Sequence, residues 1–352
     1  MHHKESEKQK PFEIGGVTIE PGTRRTVQIP VSMFPNHTAF NLNVYVIHGR
    51  KPGKRLFVSS TIHGDELNGI EVIHRVEASP LLNHLRGTLI LIPIVNMAAA
   101  LIQSRYLPDR RDLNRSFPGS ENGSSAAQLA HTFLKEVVER CTHGIDLHTG
   151  SDNRINLPQI RCDFESKEAI KLAFAFGAPV ILKSTLRGGS LREASEKLKI
   201  PTIIFEGGEA LRFNDFAIRA AEEGVLRVMT ELDMIDAGEH IKGKELSILS
   251  PASRWERAPK TGVFQTNCTL GKKVCKGDVI GKITDPIGLH STDVIASFHG
   301  IVVGMTLLPL VYQGDALFNV AWVRDPEKAE ATIEEIEEET ELNPALGDPT
   351  TF

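Results

Sequence analysis

Two short stretches of the sequence carry residues of the kind that bind a metal ion. Residues 61–66 (TIHGDE) place His63 and Glu66 three positions apart, so both side chains can converge on one ion from a loop that enters a helix. Residues 146–150 (DLHTG) add His148 at the end of an expected strand. Two imidazoles and one carboxylate are typical of a catalytic zinc site whose fourth position is left to water. The three residues therefore predict hydrolytic chemistry.

A metal hydrolase also needs a base that takes the proton from the attacking water. Glu206 follows an apolar strand directly and precedes two glycines, which allow a substrate to come close. We predict Glu206 as the base, with Glu209 as the competing candidate. A helix-capping or loop-stabilising role is the structural alternative for a carboxylate at this place. Asp146, two positions before His148, either orients that ligand or is a turn carboxylate.

Amide and guanidinium groups suited to a carboxylate or an oxyanion lie between the two metal-binding stretches. Asn114 and Arg115 are adjacent, and this pair is well suited to holding a carboxylate. Upstream, Arg105, Arg110 and Arg111 offer three guanidiniums, one of which could face the oxyanion that forms when water attacks a carbonyl. The alternative for any one of these arginines is a surface salt bridge.

The elements that must position these residues alternate between strand-like and helix-like patterns over the first two thirds of the chain. Strands are predicted at 42–48, 55–60, 87–95, 144–148 and 201–205, and helices at 69–76, 126–140 and 167–176. This alternation predicts a layered α/β sheet with ligand sites at the carboxyl ends of its strands. Both metal-binding stretches and Glu206 fall at such ends, which favours one shared site.

The pattern changes after about residue 250, where glycine-containing turns separate short strands and helical periodicity is absent. A small all-β domain is predicted there. The tail from Asp325 is acidic and is expected to be a solvated or disordered extension. The predicted organisation is an N-terminal extension with the first strands (1–40), a catalytic domain (41–249), a small all-β domain (250–326) and an acidic tail (327–352).

The composition and net charge of the chain argue against several classes of function. The formal net charge of −5 provides no basic face, so nucleic acid is not an expected partner. No run approaches the roughly 18 apolar residues that span a bilayer, and the charged start has no apolar core of a secretory signal. The four cysteines form no CxxC pair, which favours a reducing cytoplasm over a disulfide scaffold.

Four motifs in order resemble the succinylglutamate desuccinylase/aspartoacylase family, a branch of the zinc carboxypeptidase-like hydrolases. They are HGDE at 63–66, DLNR at 112–115, DLHT at 146–149 and FE at 205–206, and the resemblance spans roughly residues 41–216. It implies a three-layer α/β fold, with a sheet of mixed strands and helices on both faces. The β-rich C-terminal part resembles that of bacterial members, and its hairpins resemble a barrel-sandwich hybrid.

The resemblance also implies roles for individual residues. It implies one zinc ion on His63, Glu66 and His148. It implies Glu206 as general base, and Asn114 and Arg115 as holders of the substrate carboxylate. Arg105 resembles the arginine that polarises the oxyanion, although its longer spacing to Asn114 leaves Arg110 or Arg111 as alternatives. Arg192 resembles a further substrate-binding arginine.

The function implied is hydrolysis of the acyl amide of an N-acyl amino acid by Glu206-assisted attack of zinc-bound water. Two alternatives stay open, a carboxypeptidase-like peptidase and a non-catalytic zinc-dependent binding protein. The expected partner is a small N-acyl amino acid, without nucleic acid or membrane, and a homo-oligomer is one option for the assembly. The identity of the acyl group and of the amino acid is not predicted.

Overall fold

The computed structural model describes residues 8–236 and 247–342. The strands in these ranges are β1 (Phe12–Ile14), β2 (Val17–Ile19), β3 (Thr23–Met33), β4 (Ala39–His48), β5 (Lys51–Ser60), β6 (Arg86–Ile92), β7 (His143–Gly150), β8 (Arg154–Cys162), β9 (Val180–Lys183), β10 (Thr202–Glu209), β11 (Ile248–Ser250), β12 (Ser253–Arg257), β13 (Gly262–Gln265), β14 (Lys273–Val274), β15 (Val279–Thr284), β16 (Ser291–Ile295), β17 (Gly300–Thr306), β18 (Leu310–Val311) and β19 (Ala316–Ala321). The α-helices are α1 (Asn68–Ala78), α2 (Met97–Leu101), α3 (Ser125–Glu136), α4 (Lys167–Phe176), α5 (Leu191–Lys197), α6 (Asp215–Glu231) and α7 (Pro326–Leu342). A membrane-spanning segment is not found among the helices of these ranges.

Thirteen of the described strands join one large mixed sheet. Its main path has the order β12-β19-β17-β8-β10-β7-β5-β6-β4-β3, and the branch strands β9, β11 and β14 pair beside it. The central strands β10, β7, β5 and β6 run parallel, whereas β8 and β4 flank them in antiparallel pairing. The carboxyl ends of the parallel strands therefore meet at one edge of the sheet, as the sequence predicts.

Helices cover both faces of this sheet. Side chains along β5 alternate, so Leu56 and Val58 belong to one hydrophobic core and Phe57 belongs to the other. The first core includes the apolar residues of α1, α4 and α6, and the second includes those of α3 and α5. The predicted three-layer α/β fold with helices on both faces is confirmed.

The C-terminal part is built from strands. A four-stranded sheet of order β16-β15-β13-β18 packs against β17 and β19 around one apolar core, which includes Phe264, Ile283, Val302 and Phe318. This confirms the predicted all-β character. Strands β17, β19 and β12 also continue the large sheet, because β17 pairs with β8. The domain boundaries drawn from the sequence stay predictions.

The acidic tail differs from its expectation as far as the structure describes it. Residues expected to be solvated or disordered form helix α7, whose Ile333 is 1% exposed. Lys272 reaches Glu334 of this helix at 2.7 Å. Two buried apolar residues of this acidic helix, Ala329 and Ile333, pack in one hydrophobic cluster with residues of β17 and β19, which the acidic composition did not indicate. Residues 343–352 of the predicted tail, and residues 1–7 of the predicted N-terminal extension, lie outside the described ranges.

Candidate active site and metal centre

Three neighbouring parallel strands bring the predicted site residues together. His63 and Glu66 lie in the loop after β5, His148 lies near the end of β7, and Glu206 lies opposite His148 on β10. The loop packs tightly against α2, because a Cβ at Gly64 would lie 2.1 Å from the backbone carbon of Ala99. Glycine at this position therefore lets the loop turn its two polar side chains toward β7.

His63, Glu66 and His148 form one compact cluster. Their ligand atoms lie within 4.8 Å of one another. Glu66 Oε1 lies 2.8 Å from Nδ1 of His63, and Glu66 Oε2 lies 2.7 Å from Nδ1 of His148. The three residues are 4%, 2% and 6% exposed. Two imidazole nitrogens and a carboxylate held this closely match the donor set of a zinc site with one open position.

The second nitrogen of each imidazole faces an aspartate. Nε2 of His63 lies 3.2 Å from Asp112, and Nε2 of His148 lies 2.8 Å from Asp146. Ser59 donates its hydroxyl to the other oxygen of Asp146 at 2.8 Å. A carboxylate on one ring nitrogen fixes the tautomer in which the other nitrogen is free to bind a metal. This geometry leaves Nδ1 of both histidines, which face Glu66, as the atoms that could bind a metal ion. Asp146 was predicted either to orient His148 or to be a turn carboxylate, and the geometry favours the orienting role.

Electrostatics keep the cluster charged. Burial opposes the ionisation of Glu66, but the charges of His63 and His148 outweigh it and hold the pKa of this carboxyl well below its usual range. Burial likewise opposes protonation of His148, yet Asp146 and Glu66 raise the pKa of this imidazole well above its usual value. The ionised Glu66 is the form that binds a cation, whereas a protonated imidazole must first lose a proton, so binding of a metal ion here would release protons.

Arg105 is the arginine of its cluster that reaches the metal-binding residues. It donates to Asp112 at 3.0 Å and lies 3.5 Å from Glu66 Oε1. Arg110 and Arg111 are exposed and do not line the cavity that contains His63. Arg110 has a positive φ of 64° in a turn that reverses the chain, which carries both arginines away from the site. Of the three arginines that the sequence left as alternatives for facing the oxyanion, Arg105 is the one that lies beside His63 and Glu66 in the structure.

The predicted carboxylate-binding residues lie across the same cavity. Asn114 is 6% exposed, and its Oδ1 accepts the backbone N–H of Leu191 at 2.9 Å. This bond occupies Oδ1 of Asn114, which lines the cavity together with the exposed Arg115. Arg192 is 5% exposed and donates to the backbone oxygen of Thr185 at 2.8 Å, while its Nε and Nη1 are buried without a protein partner. Burial lowers the pKa of this guanidinium.

Glu206 is held at both carboxylate oxygens. Asn156 donates to Oε2 at 2.8 Å, and Arg161 Nε lies 3.3 Å from Oε1. Glu206 lines the cavity, whereas Glu209, the competing candidate, does not and instead pairs with Arg212 at 3.2 Å. The structure thus places Glu206 in one cavity with His63, Glu66 and His148 and leaves Glu209 outside it.

One cavity of about 210 Å³ joins all these groups. It also contains residues that the sequence patterns did not single out, namely Arg154, Asn156, Arg161, Arg187 and Trp255. Strand β8 supplies three of them, and Trp255 comes from β12 in the C-terminal part. The guanidinium carbon of Arg154 lies 5.3 Å from the centre of the Trp255 ring, a stacked cation–π contact. The cavity is therefore rich in positive charge and is closed partly by the C-terminal strands.

Comparisons with known proteins agree on one family. The family model described as the succinylglutamate desuccinylase/aspartoacylase catalytic domain matches residues 52–232. An N-alpha-acetyl-L-2,4-diaminobutyric acid deacetylase from Halomonas elongata is 25% identical over 289 residues, which cover 78% of this chain and 84% of that protein.

Solved structures show the same fold. A succinylglutamate desuccinylase/aspartoacylase from Rhodobacter sphaeroides has a TM-score of 0.76 at 22% identity, covering 86% of this chain and 95% of that one. The product-bound ectoine utilization protein EutE (DoeB) from Ruegeria pomeroyi has a TM-score of 0.77 at 21% identity, covering 90% of this chain and 99% of that one.

Proposed function

The chain belongs to the succinylglutamate desuccinylase/aspartoacylase family, and on this premise we propose that it is a zinc-dependent amidohydrolase that removes the acyl group from an N-acyl amino acid. The observation that carries the proposal is the buried His63, Glu66 and His148 cluster, with its ligand atoms within 4.8 Å, in one cavity with Glu206. The Halomonas elongata relative, named as a deacetylase of an N-acetyl amino acid, supports the same reaction class.

Each group of residues in the cavity has a separate role in amide hydrolysis. Zinc held by His63, Glu66 and His148 would supply Lewis acidity toward the acyl carbonyl and the attacking water. Glu206 takes the proton of that water and returns it to the leaving nitrogen, so the products are a carboxylic acid and a free amino acid. Arg105, which borders the cluster, places its positive charge where the carbonyl oxygen becomes negative.

Substrate binding falls to the amide and guanidinium groups across the cavity. Asn114 and Arg115 hold the carboxylate of the amino acid, since an amide N–H and a guanidinium can both donate to it. Arg192 adds two buried nitrogen atoms without a protein partner, and leaving such donors unpaired costs free energy that a bound anion recovers. Holding the substrate at its charged end fixes the scissile amide relative to Glu206.

The cavity volume favours a small substrate over a peptide. About 210 Å³ is below the roughly 300–1,000 Å³ of pockets that enclose drug-sized ligands. A non-catalytic zinc-dependent binder is the remaining alternative. It has no need of a carboxylate held at both oxygens beside the metal-binding cluster, as Glu206 is.

Two measurements test the proposal. Metal analysis of the purified protein is expected to give one zinc per chain. A screen of N-acetyl, N-succinyl and N-formyl amino acids and of short peptides is expected to show turnover of at least one N-acyl amino acid.

The variant Glu206→Gln is expected to lower kcat by at least about 100-fold with zinc retained, since general-base catalysis contributes roughly 10²–10⁴-fold. Glu209→Gln is the matched control and keeps the activity of the parent. Unchanged turnover in Glu206→Gln refutes the assigned base. Zinc-dependent binding without any turnover in the parent identifies a binder, and turnover of peptides alone identifies a peptidase.

A further inference from the structure

Strands of the C-terminal part extend the floor of the cavity. Along the sheet, Asn156 of β8 pairs with Gly304 of β17, Gly304 pairs with Asn319 of β19, and Asn319 pairs with Trp255 of β12. Residues paired directly in an antiparallel ladder project from the same face. Asn156 and Trp255 both line the cavity. Gly304 therefore occupies a position in this row where any other residue would present a side chain between two asparagines.

Asn156 is the link between this row and Glu206. It is 6% exposed, and its Nδ2 donates to Glu206 Oε2 at 2.8 Å. A hydrogen bond to an ionised carboxylate is stronger than one between neutral groups and fixes the orientation of the acceptor. Arg161, also on β8, forms an ion pair with the other oxygen at 3.3 Å without a hydrogen bond, so the bond from Asn156 is the directional contact of this carboxylate with β8.

Gly304 provides the space that Asn156 occupies. A Cβ at this position would lie 2.7 Å from Oδ1 of Asn156 and 3.4 Å from Cβ of Asn319. The first distance is shorter than van der Waals contact, so an alanine would push the amide of Asn156 aside. Its φ does not fall in the left-handed region, so backbone conformation does not require glycine here. The physical reason for glycine at position 304 is therefore the space that the amide of Asn156 needs.

We propose that Asn156 is a positioning residue for Glu206 and that Gly304 of the C-terminal strand β17 leaves the room that this arrangement needs. The inference rests on the proposed function, because it takes Glu206 as the base. It gives the C-terminal part a role in the chemistry, since a residue outside the catalytic-domain match at 52–232 then controls the geometry of the base.

The test is a double-mutant cycle on Asn156→Ala and Gly304→Ala, with the N-acyl amino acid that the parent hydrolyses. Each single variant is expected to lower kcat by about tenfold to a hundredfold, because displacement by about 1 Å of a catalytic group can cost as much as 10²-fold. KM and zinc content stay within about twofold of the parent. The double variant is expected to match Asn156→Ala alone, since removing the amide also removes the clash. Asn83→Ala, at an exposed position of the short 3₁₀ helix Pro80–His84, is the matched control and keeps the parent kcat.

A crystal structure of Gly304→Ala provides a readout besides activity. We expect the distance from Asn156 Nδ2 to Glu206 Oε2 to exceed 3.5 Å while β17 keeps its pairing with β8. Multiplicative losses in the double variant, or an unchanged kcat in either single variant, overturn the inference. If Gly304→Ala does not fold, the comparison of the double variant with Asn156→Ala still decides, because equal kcat values are expected and a lower value in the double variant contradicts the coupling. A parent that hydrolyses no N-acyl amino acid refutes the proposed function before any variant is made.

Discussion

The variant Asp146→Asn tests the proposed metal centre most directly. Asp146 is 1% exposed, accepts the hydroxyl of Ser59 on Oδ1 at 2.8 Å, and faces Nε2 of His148 with Oδ2 at 2.8 Å. In an asparagine that keeps the bond from Ser59, the NH₂ group faces His148. Nε2 of His148 must then accept a hydrogen bond from this NH₂ group. The ring proton therefore moves to Nδ1, the atom that faces Glu66. The imidazole is thereby held in the tautomer that cannot bind the metal.

The expected magnitude is a 10–100-fold loss of zinc affinity, as is usual when a residue that orients a ligand is changed. This corresponds to about 1.4–2.8 kcal/mol of binding free energy. The assay is a competition titration with a chromophoric zinc chelator at constant pH. Asp293→Asn, on the exposed side of β16, is the control and keeps the parent affinity. Zinc binding by Asp146→Asn as tight as that of the parent refutes the assignment of Nδ1 as the ligand atom of His148.

Three further predictions concern residues around the site and in the core. Burial raises the pKa of Glu222, which is 4% exposed, to about 7, so its contribution to stability is full below about pH 4.5 and is lost as the pH rises through 7. Glu222→Gln is therefore expected to gain stability relative to the parent between pH 5 and pH 8, by up to about 3 kcal/mol in urea unfolding, and no pH-dependent difference contradicts this. Trp255→Ala removes the ring stacked on Arg154 and is expected to raise KM about three- to tenfold with zinc content unchanged; an unchanged KM contradicts a role of this wall in binding. Arg192→Gln is expected to lower kcat/KM about 10–100-fold, whereas Arg111→Gln, outside the cavity, leaves it unchanged; equal effects of the two contradict the anion-binding role.

The central sheet was predictable because its strands are buried on both faces. Strands covered by helices read as continuous apolar runs, and residues 89–92 (LILI) show such a run and lie in β6, whereas the run in β7 (144–147, GIDL) is interrupted only by Asp146. Helix α4 was predicted at 167–176 and has these bounds in the structure. The polar residues that break each run at its carboxyl end were the ones expected to meet, and His63, Glu66, His148 and Glu206 do line one cavity.

Strand β8 was not predicted, and its sequence explains why. Residues 154–162 (RINLPQIRC) contain a proline and a polar residue at nearly every second position. Such a pattern is typical of a surface segment, since arginine and asparagine are rarely buried. Here Arg154, Asn156 and Arg161 point into the cavity rather than into bulk water. A sequence pattern shows which residues are polar but not whether they face solvent or a binding site.

The contributions of Trp255 and Gly304 to the site could not be predicted from the sequence, for a second reason. Their importance depends on pairing between β8 and β17, strands about 150 positions apart in sequence, and such long-range register is set by the assembled sheet. Composition does change near residue 250, and that change was visible in the sequence. This change marks the start of the part built from short strands. The large sheet nevertheless continues across this point, because β12, β17 and β19 belong to it.

The continuity of the sheet has a consequence for how the site is stabilised. If the chain ended before β12, residues 154–156 of β8, next to the strand that carries Glu206, would lose their antiparallel partner β17 and become a sheet edge, whereas residues 159–162 keep their pairing with β9. The cavity would also lose Trp255 and its stacking on Arg154. The cluster of His63, Glu66 and His148, by contrast, is held by the loop after β5, by β7 and by Asp112 in the segment after α2, and within the described ranges its hydrogen bonds come from these segments and not from the C-terminal part. Under the proposed function, zinc binding and base positioning therefore depend on different parts of the chain, and a change in β17 is expected to affect turnover while leaving metal affinity intact.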